Sequence, residues 1–266
     1  MSAPGDPARR RRWKRRAAIS CAALILLGSG LFGLHKLANA RGFQLFGDIV
    51  DRVETDDRVV ALTFDDGPAD GRTQELLRIL ARHGVAATFF LIGRDIDANP
   101  EAARAIAAAG HQIGNHSYTH PRMVFLRPST IRDEVERTET AIRRTGHRGP
   151  IVFRPPFGKK LFYLPYYLDQ RGIKTIMWDV EPDSHPEVAA TADGIVRHVV
   201  ERVRPGSIIL LHVMAASRET SFRAVEPMVV ELERLGYRFV TVDQLLALEA
   251  GGSRSENTAP PPSRSR

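Results

Sequence analysis

From residue 58 onward, short apolar runs rich in β-branched residues alternate with amphipathic stretches, and few folds accept that alternation. The runs are 58–64, VAATFFLI (85–92), HQIGN (111–115), PIVFR (150–154), IKTIMW (173–178), SIILLH (207–212) and RFVTV (238–242). Helical patterns fall between most of them. One begins at Asn99, has Pro100 in the first helical position and stops at Gly110. Another opens near Ser129-Thr130 and ends at Gly146, and two more span about 191–203 and 223–235, the second closed by Gly236. Strands separated by helices predict parallel pairing with crossovers. Seven such units in about 190 residues suit a barrel better than an open sheet. In that architecture reactive groups gather at the C-terminal ends of the strands.

The net charge of +7 suggests a nucleic-acid partner until it is located. Residues 1–16 hold seven Lys/Arg and one Asp, and residues 251–266 hold three Arg and one Glu. Without them, the 38 basic and 31 acidic residues become 28 and 29, so the body is close to neutral and the nucleic-acid reading fails. The basic run RRRRWKRR (9–16) precedes eighteen uncharged residues, AAISCAALILLGSGLFGL (17–34). That order predicts a membrane anchor over 17–37, with 1–16 cytoplasmic and the remainder extracytoplasmic. The rival is an export signal cleaved after Ala38-Asn39-Ala40, which releases the domain. Residues 38–57 read as a linker, 58–250 as the folded body and 251–266, rich in Pro and Ser, as a disordered tail. Cys21 is the only cysteine, so one chain holds no disulfide and no thiolate zinc site.

The polar punctuation falls at the predicted strand ends. Asp65-Asp66 closes the first run, His116-Ser117-Tyr118-Thr119-His120 follows the third and Arg154-Pro155-Pro156-Phe157-Gly158 ends the fourth. Trp178-Asp179-Val180-Glu181-Pro182-Asp183 ends the fifth, and Leu210-Leu211-His212 ends the sixth. Taken singly each has a plain reading: a capped turn, a surface loop, an exposed cation, a buried histidine. Their joint placement on one rim is what outweighs those readings. Two histidines four apart, with one carboxylate, form a three-ligand metal set that leaves positions open for water. One aspartate of the adjacent pair then coordinates the ion, and the other takes a proton from water.

These motifs, in this order, closely resemble the NodB-type polysaccharide deacetylases, carbohydrate esterase family 4, from about Val59 to Leu246. TFDDGP and HSYTH are the most specific of them. The resemblance implies a distorted (β/α)7 barrel, here preceded by an N-terminal apolar helix. It implies Asp65 as general base, with Asp66, His116 and His120 holding one divalent metal ion, zinc before others. It implies that Arg154 orients the catalytic aspartate, that the backbone N–H near Phe157 holds the oxyanion, and that His212 protonates the departing amine. Trp178 and Leu210 would line the acetyl pocket. Two features depart from the family pattern: WDVEPDSHP lacks the usual Asp-Trp, and Val213 stands where Asp is common. The carboxylate that tunes His212 is therefore Asp183 as first choice and Glu181 as second. The implied activity is metal-dependent N-deacetylation of an extracytoplasmic N-acetylglucosamine glycan such as peptidoglycan. The alternatives are an O-acetyl esterase on a polysaccharide such as xylan, and a silent glycan-binding homologue.

Overall fold

A computed structural model describes residues 7–255. Two units are distinguished, one ending at Ala40 and one beginning at Arg41. The first is the helix α1 (Pro7–Asn39). Its stretch Arg11–Asn39 is long and apolar enough to cross a membrane by length and composition. Residues 1–6 of the expected basic segment lie outside the described residues.

In chain order the second unit runs β1 (Ile49–Val50), β2 (Val59–Asp65), α2 (Arg72–Arg82), β3 (Thr88–Leu91), α3 (Gly93–Ala98), α4 (Pro100–Ala108) and β4 (Gln112–Asn115). It continues with α5 (Pro128–Arg144), α6 (Tyr163–Gln170), β5 (Thr175–Ile176), α7 (Ala192–Arg202), β6 (Ile208–His212), α8 (Glu219–Arg234), β7 (Arg238–Val240) and α9 (Val242–Ser255). All strand pairs are parallel. β2 pairs with β3 on one side and β6 on the other, and β3 pairs with β4. Bridges Asn115–Phe153, Phe153–Thr175 and Val180–Ile209 carry the ring onward through β5 and back to β6. The expected distorted barrel is the one observed.

The distortion has a local cause. The run 150–154 begins with Pro150 and is followed by Pro155-Pro156, none of which can donate to a ladder. It therefore makes bridges at Phe153 rather than a full strand. β7 pairs only with the first half of β2, from Val59–Arg238 to Ala61–Val240.

Period-two alternation decides which residues reach the barrel interior. Val60, Leu62 and Phe64 of β2 join an outer core with Leu76, Leu80, Val225 and Met228 from the covering helices. Val59 and Ala61 instead face an inner cluster with Phe90, Ile176, Ile208 and Leu210. Val242 and Leu245 of α9 complete that inner cluster. Continuing the same alternation along β2 brings Thr63 and then Asp65 inward at the C-terminal end. On β6 the inward set Ile208, Leu210 ends at His212, whose Cα is in register with Asp65.

Two boundaries differ from the sequence reading. Part of the stretch read as a linker, 38–57, is packed: Val53 is fully buried, and β1 pairs with β5 through Ile49–Thr175 and Val50–Ile176. Its inward apolar residues, Ile49-Val50 and Val53, are too few for a periodic signal. The tail expected from 251 overlaps the last turns of α9, which reaches Ser255, and 256–266 lie outside the described residues.

Candidate active site

Four left-handed backbones surround one point on the barrel rim. Among the described residues the non-glycine positive φ values are at Asp66 (71°), Ser117 (63°), Phe125 (56°), His120 (61°) and Phe157 (58°), and only Phe125 stands apart from the motifs. Each costs on the order of 1–3 kcal/mol, which surrounding structure must offset. At Asp66 the left-handed turn ends β2, so its side chain diverges from that of Asp65. The two carboxylates then approach one imidazole from different sides: Asp65 Oδ2 is 3.6 Å and Asp66 Oδ1 3.8 Å from His116 Nε2.

Asp65 is buried and held by Arg154, whose Nη1 donates to Asp65 Oδ1 at 2.7 Å. Arg154 is itself fully buried. Its remaining bonds go to Thr63 Oγ1 (2.8 Å), Ile176 O (3.2 Å) and Met177 O (2.9 Å), and the guanidinium lies 4.0 Å from the centre of the Phe90 ring. With its donors so engaged the guanidinium is fixed in place. Oδ2 of Asp65 is left facing the histidines.

His116 Nδ1 lies 2.8 Å from the carbonyl oxygen of Arg154. A carbonyl only accepts, so Nδ1 carries the proton and Nε2 presents its lone pair. His120 Nε2 is 3.2 Å from His116 Nε2 and 3.4 Å from Asp66 Oδ1. Burial lowers the His116 pKa to about 3 and lowers that of His120, so both rings stay neutral, the state a metal ligand needs. Asp66 Oδ1 is buried without a hydrogen-bond partner. Ligand atoms of Asp66, His116 and His120 all lie within 4.8 Å of one another. An orphaned carboxylate oxygen facing two neutral imidazole nitrogens is a donor set that fits a divalent cation.

Opposite this set, His212 places Nδ1 3.3 Å from Asp183 Oδ1 and donates its backbone N–H to Asp183 Oδ2 at 2.6 Å. Burial acts to lower the His212 pKa, but the Asp183 hydrogen bond and the charges of Asp65, Asp183 and Asp66 outweigh it and push it to about 9. Glu181 does not take part in that contact. Its Oε2 accepts from Trp178 Nε1 (2.8 Å) and Arg41 Nη2 (2.6 Å), and its Oε1 accepts from Ser184 Oγ (2.6 Å). Trp178 and Leu210 lie in one apolar cluster inside the barrel. The half-exposed Phe157 ring packs 4.7 Å from His120.

One residue of the site escaped the sequence reading. Glu134 of α5 is buried, and its Oε2 accepts from the backbone N–H groups of Tyr118 (2.7 Å) and Thr119 (2.8 Å). Its Oε1 accepts from Thr119 Oγ1 at 2.6 Å. Glu134 thus fixes the loop between the two histidines. The available signal is a carboxylate on the buried stripe Ile131, Val135, Thr138 and Ile142. Asn115 supports the same loop, accepting from Ser117 N at 2.9 Å and donating to Val135 O at 2.8 Å.

A family model described as polysaccharide deacetylase matches residues 52–176. A peptidoglycan-N-acetylglucosamine deacetylase of Bacillus cereus is 34% identical over 70% of this chain and 67% of its own length. A chitooligosaccharide deacetylase of Bradyrhizobium is 34% identical over 71% of this chain and 90% of its own. The crystal structure of the Bc1960 peptidoglycan N-acetylglucosamine deacetylase superposes with a TM-score of 0.69 at 31% identity, covering 73% of this chain and 91% of that one.

Proposed function

The chain belongs to the polysaccharide deacetylase family, and from that premise we propose that it removes N-acetyl groups from N-acetylglucosamine residues of peptidoglycan, outside the cytoplasm and with a divalent metal. The observation that carries the metal reading is the unpartnered Asp66 Oδ1 set against His116 Nε2 and His120 Nε2. Those three atoms would hold the ion, zinc before others, and when bound it supplies Lewis acidity that polarises an acyl oxygen and acidifies water.

This chain's own residues do the rest. Asp65 accepts the proton of the attacking water at Oδ2, because Oδ1 is committed to Arg154. Arg154 keeps that carboxylate from rotating. The backbone N–H of Phe157, on its left-handed turn, meets the negative charge that develops on the acetyl oxygen. His212, protonated with Nδ1 held by Asp183, gives a proton to the leaving nitrogen. The C–N bond breaks, and the products are acetate and a glycan amine. Trp178 and Leu210 enclose the acetyl methyl.

The relatives named as peptidoglycan and chitooligosaccharide deacetylases support an amide substrate. Location rests on α1, read as an uncleaved anchor with the catalytic unit on the far side of the membrane. The test is acetate release from peptidoglycan, chitooligosaccharide and acetylated xylan. Release from the N-acetyl polymers supports the reading. Release confined to the xylan ester overturns it in favour of an esterase, and no release from any overturns it in favour of a silent binder.

A further inference from the structure

The segment 43–46 has its polarity inside out. Gln44 is only 9% exposed and donates from Nε2 to Asp48 O at 3.0 Å. Its neighbours Phe43 (57% exposed), Leu45 and Phe46 (both 41%) face outward. The segment does not dangle. Arg41 holds Glu181 and lies 4.8 Å over the Trp178 ring. At the other end a Cβ on Gly47 would meet Asp169 Cβ at 2.9 Å. Outward apolar side chains on a pinned segment are a surface feature in need of a partner.

They are continuous with more of the same. The Phe46 ring meets Tyr166 of α6 edge-on at 5.6 Å, and Tyr166 is 6.2 Å from Tyr163. Phe162, beside Tyr163 in the chain, is also exposed. Tyr163 accepts at its hydroxyl from Arg132 at 2.9 Å. The patch thus combines Phe and Leu with tyrosines and a cation at its margin, the composition of side chains that settle at the boundary between acyl chains and headgroups.

Chain length selects the occupant. Four Cα steps separate Asn39, the last residue of α1, from Phe43, a reach of at most about 14 Å. If α1 spans a bilayer, Phe43 cannot leave the neighbourhood of the headgroups. We propose that Phe43, Leu45, Phe46, Phe162, Tyr163 and Tyr166 form a surface that seats the catalytic barrel on the outer face of the membrane. The inference rests on the anchor reading above. Seating fixes the catalytic rim at a set height, because Arg41 joins the segment to the Trp178 wall.

The test uses the full chain with Cys21→Ser, carrying one fluorophore-labelled cysteine at either Tyr166→Cys or Arg234→Cys. Each is reconstituted in phosphatidylethanolamine–phosphatidylglycerol liposomes containing nitroxide lipids. Position 166 packs against Phe46, seven residues past the end of α1, so tethering alone brings it within roughly 30 Å of the helix end; serine substitutions that keep the tether therefore separate docking from tethering. The reporter at 166 should be quenched at least threefold more strongly than that at 234. Adding Phe43→Ser and Phe46→Ser should remove most of that difference. Equal quenching at both positions in chains that resist carbonate extraction overturns the docking surface and leaves the anchor standing. A reporter at 166 that answers to N-acetylglucosamine oligomers and not to lipid overturns it in favour of a glycan platform. Release by carbonate, or an N-terminus beginning at Arg41, overturns the anchor and the docking surface together.

Discussion

Replacing Glu134 separates the candidate metal site from its support. The carboxylate accepts three hydrogen bonds from the His116–His120 loop, two of them from backbone N–H groups. Bonds to a charged acceptor contribute about 1.5–3 kcal/mol each. Thr119 is exposed, so water replaces part of what it loses, and Glu134→Ala should cost about 3 kcal/mol in stability. Much of that falls on the loop that must hold His120 at φ 61°. If the competent loop drops to about a tenth or less of the population, apparent metal affinity falls by the same factor. The expected loss is therefore about 10–100-fold, the range typical of lost support to metal ligands. Glu134→Gln keeps one oxygen for the two amides and should lose well under half of that free energy. Zinc competition against a chromogenic chelator measures both variants, and thermal unfolding with and without zinc checks that they fold. Wild-type zinc affinity in a folded Glu134→Ala chain refutes the reasoning.

Asp65→Asn should abolish turnover by at least about 10²–10⁴-fold while keeping zinc, because an amide accepts no proton. Asp66→Asn should weaken zinc binding, and elemental analysis of the two variants tells the roles apart; loss of zinc at Asp65→Asn with full retention at Asp66→Asn reverses them. With His212 as the proposed acid, its pKa of about 9 predicts activity that falls as pH rises through that value. In Asp183→Asn, burial is opposed only by Asp65 and Asp66, so the alkaline limb should move down by about one unit or more, each unit being worth about 1.4 kcal/mol; an unmoved limb removes Asp183 from the proton's environment. The same raised pKa contributes stability that is full below about 6.5 and lost as pH climbs through about 9, which pH-dependent unfolding of the wild type and His212→Ala measures. His212→Ala should also stay slow on the amide yet recover on an activated ester, whose leaving group needs no proton.

The rim was legible because strand periodicity and motif position carry the same information. Asp65 and His212 end adjacent parallel strands in register, and each lies two residues beyond an inward core residue, Thr63 or Leu210. Alternation alone therefore aims them into the barrel. What sequence could not supply was reach across the chain. Arg154 reads as a cation beside prolines until its guanidinium is seen filled by Asp65, Thr63 and two carbonyls from the β5 side. The choice between Asp183 and Glu181 turned on which carboxylate the chain brings to His212 and which to Trp178, and no periodicity encodes that. Glu134 belongs to a helix whose pattern reads as an ordinary amphipathic one, and only the third dimension shows its carboxylate turned toward a loop. The stretch 38–57 reads as a linker because within 43–46 the inward residue is Gln44 and its neighbours Phe43, Leu45 and Phe46 face outward. That is the reverse of the rule by which buried segments are recognised.

One titration tests metal-dependent N-deacetylation most directly. The full chain is stripped with chelator, then given graded zinc, while acetate and new glucosamine amine are counted from N-acetylglucosamine strands of peptidoglycan. The predicted result is no release without metal, full recovery near one equivalent of zinc, and one amine for every acetate. Undiminished release from the metal-free chain, or acetate appearing without matching amine, contradicts it.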